Sequence, residues 1–229
     1  MNMKSSDVGT LQPQYDHETK PIYNIEEIRG YELGKEDKQK IADLINDSFY
    51  NNQWTQEEIM EVYFEKDESI NFLFRGEDGS IYGFGQCIPL EKSKTMYLSI
   101  GTVSQKLENN GIGNKLVNEL LKRSNKYSKK VVRTQNPKMA EMLMKRGFKP
   151  TSPDFTLNTE IKKVAEEAMS EYLGTPVELN ENSILSSEAH PCKLKPKTQP
   201  AKDETITKHL EKIIENPYGE RLVLAMIDQ

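Results

Sequence analysis

The strongest chemical signature in this chain lies in the run Val103-Ser104-Gln105-Lys106-Leu107-Glu108-Asn109-Asn110-Gly111-Ile112-Gly113-Asn114. A strand is predicted to end at Val103, a turn rich in Asn and Gly follows, and an amphipathic helix begins inside the glycines. Lacking Cβ atoms, Gly111 and Gly113 let backbone approach a ligand closely and adopt turns closed to other residues. Free N–H groups at a helix start, with the helix dipole behind them, attract phosphate oxygens. The spacing therefore predicts a pyrophosphate cradle.

Two common phosphate-binding patterns do not match. A dinucleotide-binding turn wants a third glycine, but Leu116 follows Asn114 and Lys115, and no βαβ unit comes after it. A P-loop wants Gly-Lys-Ser/Thr after its second glycine, whereas Gly113 precedes Asn114-Lys115.

From Val103 to Val117 the chain instead resembles the pyrophosphate-binding motif of the GNAT superfamily of acyl-CoA-dependent N-acyltransferases. That motif is a strand-ending Val, a short loop, then Arg/Gln-x-x-Gly-x-Gly/Ala opening a helix. Val103, Gly111, Ile112 and Gly113 sit where it asks, as do the apolar helix positions Leu116 and Val117. Glu108 occupies the Arg/Gln position and Asn109 replaces a frequent glycine. A carboxylate beside a pyrophosphate is unfavourable, so Glu108 is expected to point outward or to weaken CoA binding. Downstream, Asn136-Pro137-Lys138-Met139-Ala140-Glu141-Met142-Leu143-Met144-Lys145-Arg146-Gly147-Phe148 is similar to the family's Asn-helix-Gly-Phe segment.

The resemblance implies acetyl-CoA as cofactor. Val103, Glu108, Asn109, Asn110, Gly111, Ile112, Gly113 and Asn114 would form its pyrophosphate loop, with Asn136 on the pantetheine arm. It also implies a thioester carbonyl polarised by the backbone N–H of Val103. The family's frequent general-acid tyrosine corresponds to Leu143, and its strand carboxylate, a base in many members, to Tyr97. A phenol, with a reference pKa of about 10, is a poor base at neutral pH. Tyr97 is thus a catalytic candidate only as a group that orients water or substrate. Positioning of a reactive thioester beside an amine would supply most of the rate. The implied activity is N-acetyl transfer to an amine acceptor that the sequence does not identify. The alternative is a GNAT-fold protein that holds acyl-CoA, or a partner, without turnover.

The elements that must position these residues read in order. Ile41, Leu44, Ile45 and Phe49 recur at three and four, predicting a helix from Lys35 to Phe49, and a short helix is predicted from Thr55. Apolar-aromatic runs at Asn71–Arg75 and Ile81–Ile88 flank Glu77-Asp78-Gly79-Ser80, a hairpin signal. A strand over Met96–Val103, a helix over Ile112–Tyr127 and a strand over Val131–Gln135 follow, then a helix from Pro137 to Arg146 closed by Gly147. Helices are predicted at Thr159–Leu173 and Asp203–Glu215, and a strand at Arg221–Ile227. The Pro- and Lys-rich stretch from Ala189 to Pro200 reads as a solvated linker.

The expected fold is α+β: a GNAT-like mixed, mostly antiparallel sheet flanked by helices, with a helical C-terminal extension. Residues 1–20 are expected to be a flexible leader and 21–150 the acyl-CoA-binding core. Residues 151–229 would form the extension, with its linker and a final strand returning to the sheet. The 229 residues suffice for one large domain or two small ones, and 35% of them are hydrophobic. With 31 basic against 36 acidic residues, the formal charge of -5 gives no global reason to bind nucleic acid or an anionic membrane. Cys87 and Cys192 are the only cysteines and lack partners at metal-ligand spacing, which suits a reducing compartment. With no apolar stretch of membrane-spanning length and no signal-peptide pattern, a cytoplasmic location is expected.

Overall fold

The computed structural model describes residues 23–50, 55–64, 68–107, 110–151, 154–186, 195–217 and 219–228. The expected leader, Glu108, Asn109 and the first half of the linker lie outside them. The chain forms β1 (Tyr23–Arg29), α1 (Lys35–Asp47), β2 (Phe49–Tyr50), α2 (Gln56–Phe64), β3 (Ile70–Gly76), β4 (Ile81–Leu90) and β5 (Thr95–Val103). After these come α3 (Ile112–Ser124), β6 (Lys129–Thr134), α4 (Pro137–Met144), α5 (Thr159–Leu173), β7 (Ile184–Leu185), β8 (Lys195–Pro196), α6 (Glu204–Ile213) and β9 (Arg221–Ile227). A seven-stranded sheet runs in the order β1-β3-β4-β5-β6-β9-β7. Its one parallel pair is β5 with β6; the other neighbours are antiparallel. This is the mixed, mostly antiparallel sheet flanked by helices that the sequence predicts.

Alternation along the strands sends side chains to opposite faces. One face carries Phe72, Phe74, Cys87, Met96, Leu98, Val132, Leu222 and Leu224, packed against α3, α4 and α6. The other face is covered in two separate places. At one end α1 and α2 pack on Leu73, Ile81 and Phe84. At the other end α5 packs on Ile88, Leu90, Tyr97, Val131, Val223 and Ala225.

Local chemistry explains the placement of the helices. Arg75 on β3 grips Asp37 in the first turn of α1 through two N–H···O bonds of 3.0 Å and reaches Glu26 on β1 with Nε. The Asp37 bonds raise its pKa, against an opposing loss from burial, so the charge is held firmly. Helix α3 lies close on the sheet because Gly85 has no side chain: a Cβ there would stand 2.5 Å from Leu116 Cδ1. Asn158 caps α5, and Gly174 in the left-handed region ends it.

Four strands escape the sequence reading. β1 has the pattern Tyr-Asn-Ile-Glu-Glu-Ile-Arg and lies at the sheet edge, so it shows no regular alternation. β2, β7 and β8 have two residues each, too few for any period; Phe49, expected to end the first helix, instead opens β2, because α1 stops at Asp47. The second half of the expected solvated linker is also anchored. β8 pairs with β2, Lys197 N donates to Ser48 O at 2.8 Å, and Lys138 N donates to Gln199 O at 3.2 Å. Among the described residues, no helix is long and apolar enough to cross a membrane.

Candidate active site

Two central strands part company at the site. β5 and β6 pair in parallel from Thr95 with Lys129 to Leu98 with Val132, and no further. Yet β5 continues to Val103 and β6 to Thr134. The register against β4 shows why. Gln86 stands opposite Ile100 and Cys87 opposite Leu98, so Ser99 is an extra residue in β5. A bulge of this kind bends its strand. Meanwhile β6 follows β9, pairing Arg133 with Val223 and Thr134 with Leu222. A wedge opens between β5 and β6.

Backbone groups of β5 face that wedge. Ser104 N donates to Tyr82 O at 2.8 Å. Bonded and non-bonded pairs alternate along an antiparallel ladder. The pairs Gly83–Val103 and Gly85–Gly101 are therefore of the non-bonded kind. Val103 and Gly101 consequently turn their N–H and C=O groups away from β4, toward the wedge.

The glycine loop stands at the open end of β5. Gly111 is the N-cap of α3, left-handed at φ 79°, and neither its own nor any other described side chain caps the helix. The first turn of α3 contains no acid. A Cβ built on Gly111 or on Gly113 would meet nothing within 4 Å. The result is a helix start with free N–H groups, no acid in its first turn and, among the described residues, open space in front. Ile112, 1% exposed, anchors the turn in the core. Asn110 and Asn114 are both exposed at the rim. Pyrophosphate oxygens fit this cradle.

A cation that the sequence reading passed over completes the cradle. Arg146 Nη2 donates to Asn114 Oδ1 at 3.2 Å and to Asn118 Oδ1 at 2.9 Å, while Nη1 donates to Met142 O at 2.7 Å. Its guanidinium therefore rests on the first turns of α3. Arg146 lies more than thirty positions along the chain from the glycines, and only the packing of α3 beside α4 brings them together.

Asn136 sits at the other wall. Its Oδ1 accepts from Lys138 N at 3.0 Å and Met139 N at 3.4 Å, capping α4 behind Pro137. The amide NH2 is the part of Asn136 available to a ligand. Met139 Cε would touch a Cβ on Gly101 at 3.4 Å, so the first turn of α4 reaches across to β5. Leu143 is 1% exposed in the core and has no proton to give.

Tyr97 lies apart from the cradle, on the sheet face covered by α5. It is fully buried, its ring centroid 4.3 Å from that of Tyr172, with the Arg133 guanidinium 5.8 Å away. Burial pushes the phenol far above its ordinary range, and Arg133 opposes only part of that rise. Tyr97 stays protonated at neutral pH. It can donate a hydrogen bond but cannot serve as a base.

A strand order with a wedge between its one parallel pair, and a glycine-opened helix beside it, agrees with what comparison finds. Residues 38–148 match the model of the acetyltransferase (GNAT) family. No curated protein matches the chain. Among solved structures, an N-acetyltransferase from Staphylococcus aureus Mu50 is 21% identical, covering 55% of this chain and 84% of its own, at a TM-score of 0.45. A phosphinothricin acetyltransferase from Sinorhizobium meliloti, solved in complex with AcCoA, is 13% identical over 56% of this chain and 75% of its own, TM-score 0.45. An IAA acetyltransferase from Bacillus cereus ATCC 14579 is 18% identical and spans 90% of this chain and 99% of its own, TM-score 0.45. At such low identity and TM-score these likenesses carry no argument of their own; the family match and the topology of this chain do. The segment from residue 38 to 148 is an acetyltransferase domain of the GNAT family.

Proposed function

We propose that this protein transfers an acetyl group from acetyl-CoA to an amine. The observation that carries this reading is the alignment of two features. A wedge lies between β5 and β6 where backbone groups face outward, and the uncapped, glycine-lined start of α3 stands at its mouth. Bound acetyl-CoA would supply an acyl group activated as a thioester.

The chain's own groups divide the work. N–H groups of Ile112, Gly113 and Asn114 receive the pyrophosphate, with Arg146 adding positive charge from the turn after α4. The Asn136 amide binds the pantetheine arm at the wall of the wedge. The N–H of Val103, or of Gly101 on the same edge, donates to the carbonyl oxygen as negative charge develops there. With Leu143 and Tyr97 unable to act as acid and base, catalysis rests on orientation and on this backbone polarisation. The amine is expected to lose its first proton to solvent, so the rate should rise with pH toward the pKa of the acceptor's ammonium.

The test is thiol release from acetyl-CoA with a panel of amines, run beside calorimetric titration of CoA. Turnover on at least one amine, with saturable CoA binding, is the expected result. CoA binding without turnover on any amine would reduce the protein to a holder of acyl-CoA.

A further inference from the structure

Between the two apolar clusters that cover the second face of the sheet runs a row of polar side chains, one from each of five neighbouring strands. On β4, Gln86 separates Phe84, under α1 and α2, from Ile88, under α5. On β5, Ser99 separates Tyr97 from Ile100 in the same way. Asn71 on β3, Arg133 on β6 and Arg221 on β9 continue the row, the last two sharing a face with Val131 and Val223. Tyr172 of α5 borders it, with the Arg133 guanidinium 5.1 Å from its ring.

A core that buries a polar row normally satisfies it. Part of this one is satisfied: Gln86 Nε2 donates to Tyr63 O at 2.6 Å and to Asn71 Oδ1 at 3.1 Å, while Asn71 Nδ2 donates to Ile28 O. Those carbonyl partners only accept, so the amide of Gln86 has one orientation. That leaves Gln86 Oε1 buried with no donor among the described residues. Tyr97 Oη and Ser99 Oγ are likewise buried with no partner among them. Gln86 and Tyr97 are both fully buried. Gln86, opposite Ile100, and Tyr97 stand on either side of the bulge at Ser99, where β5 begins to leave β6. An acceptor there would reach the wedge from the face opposite α3 and α4.

Resting on the acetyl-transfer reading above, we infer that this row is the acceptor site and that the acceptor is an amine which also carries a carboxylate. The guanidinium of Arg133, reinforced by the positive charge of Arg221, takes the carboxylate, and the Tyr97 hydroxyl donates to it. Gln86 Oε1, an acceptor with no donor, takes an N–H of the amine and holds the nitrogen beside the wedge. The neutral nitrogen then forms the new C–N bond as the C–S bond breaks. The surplus proton on nitrogen ends on the departing sulfur. A carboxylate fits because two cations and a phenol O–H all offer positive hydrogen-bonding character at one end, while the amide oxygen offers the opposite character at the other.

Matched acceptor pairs test this: amino acids of several lengths against their carboxamides, with acetyl-CoA, in the wild type, Arg133→Gln and Arg133→Lys. The carboxylate members should be preferred at least tenfold in kcat/KM, through KM. Arg133→Gln should erase that preference and Arg133→Lys retain part of it. CoA affinity should stay within twofold in both variants, which shows that they are folded. Equal use of carboxylates and carboxamides by the wild type, or a preference untouched by Arg133→Gln, overturns the inference while leaving acetyl transfer standing. No CoA binding and no transfer to any amine would instead remove the reading beneath it.

Discussion

Tyr97 shows how burial decides what one residue can do: it keeps its proton and can orient a ligand but not take a proton from it. Its hydroxyl is buried without a partner among the described residues, so the free protein bears the cost of desolvating it. Tyr97→Phe should therefore stabilise the protein by about 1 kcal/mol in urea unfolding, even as it weakens acceptor binding. A stability loss would mean that the hydroxyl is satisfied within the protein. The two loop glycines also separate by their backbone. Gly111, at φ 79°, needs its freedom for the fold itself, and Gly111→Ala should cost about 1 kcal/mol. Gly113 lies in ordinary helix, so its missing side chain serves only the space in front of it. The glycine-opened start of α3 was legible in sequence because Gly-x-Gly after a strand is a local statement about backbone. Gln86, Arg133 and Arg146 were not, because each acquires its meaning from neighbours distant in the chain.

At the level of elements, α4 and α5 each make a polar contact whose loss can be measured. Asn136 caps α4 through Oδ1 and keeps its NH2 for the wedge. Asn136→Ser keeps a cap and removes the NH2, so stability should hold while CoA affinity falls several-fold. Asn136→Ala should lower both, with about 1 kcal/mol of stability lost. If the serine variant binds CoA as the wild type does, Asn136 is structural only. On α5, Glu171 accepts from Lys92 N at 3.0 Å and Ser93 N at 2.7 Å, tying the helix to the turn between β4 and β5. Burial alone would raise its pKa, but these N–H bonds outweigh it and the net shift is downward. A carboxyl depressed in the folded state stabilises above its unfolded pKa, and that contribution is lost as pH falls through the folded pKa. Acid unfolding of wild type and Glu171→Gln should therefore converge at low pH and separate toward neutrality, with the wild type the more stable. The helices and central strands were legible from their periods. The divergence of β5 from β6 was not, because Ser99 gives no local sign of a bulge.

Across the whole molecule, the chain's last strand is an interior one. β9 lies between β6 and β7, and its side chains enter the cores on both faces of the sheet. A chain ending after Ile213 would leave β6 with an unpaired edge and remove Leu222, Val223, Leu224 and Ala225 from those cores. Such a truncation should lack a cooperative unfolding transition and bind no CoA. A truncated protein that folds and binds CoA would make β9 an appendage. The apolar character of Arg221–Ile227 made a strand legible in sequence, but its neighbours in the sheet were beyond reach of any local pattern. The account as a whole depends on acetyl-CoA lying along α3 and into the wedge. Calorimetric titration of CoA into wild type and Gly113→Val examines this most directly, because a Cβ at Gly113 has open space before it and the valine would fill the ligand's space. Wild type should bind CoA, and Gly113→Val should bind more than tenfold more weakly with a nearly unchanged thermal midpoint. Equal affinity in the two proteins would contradict the account.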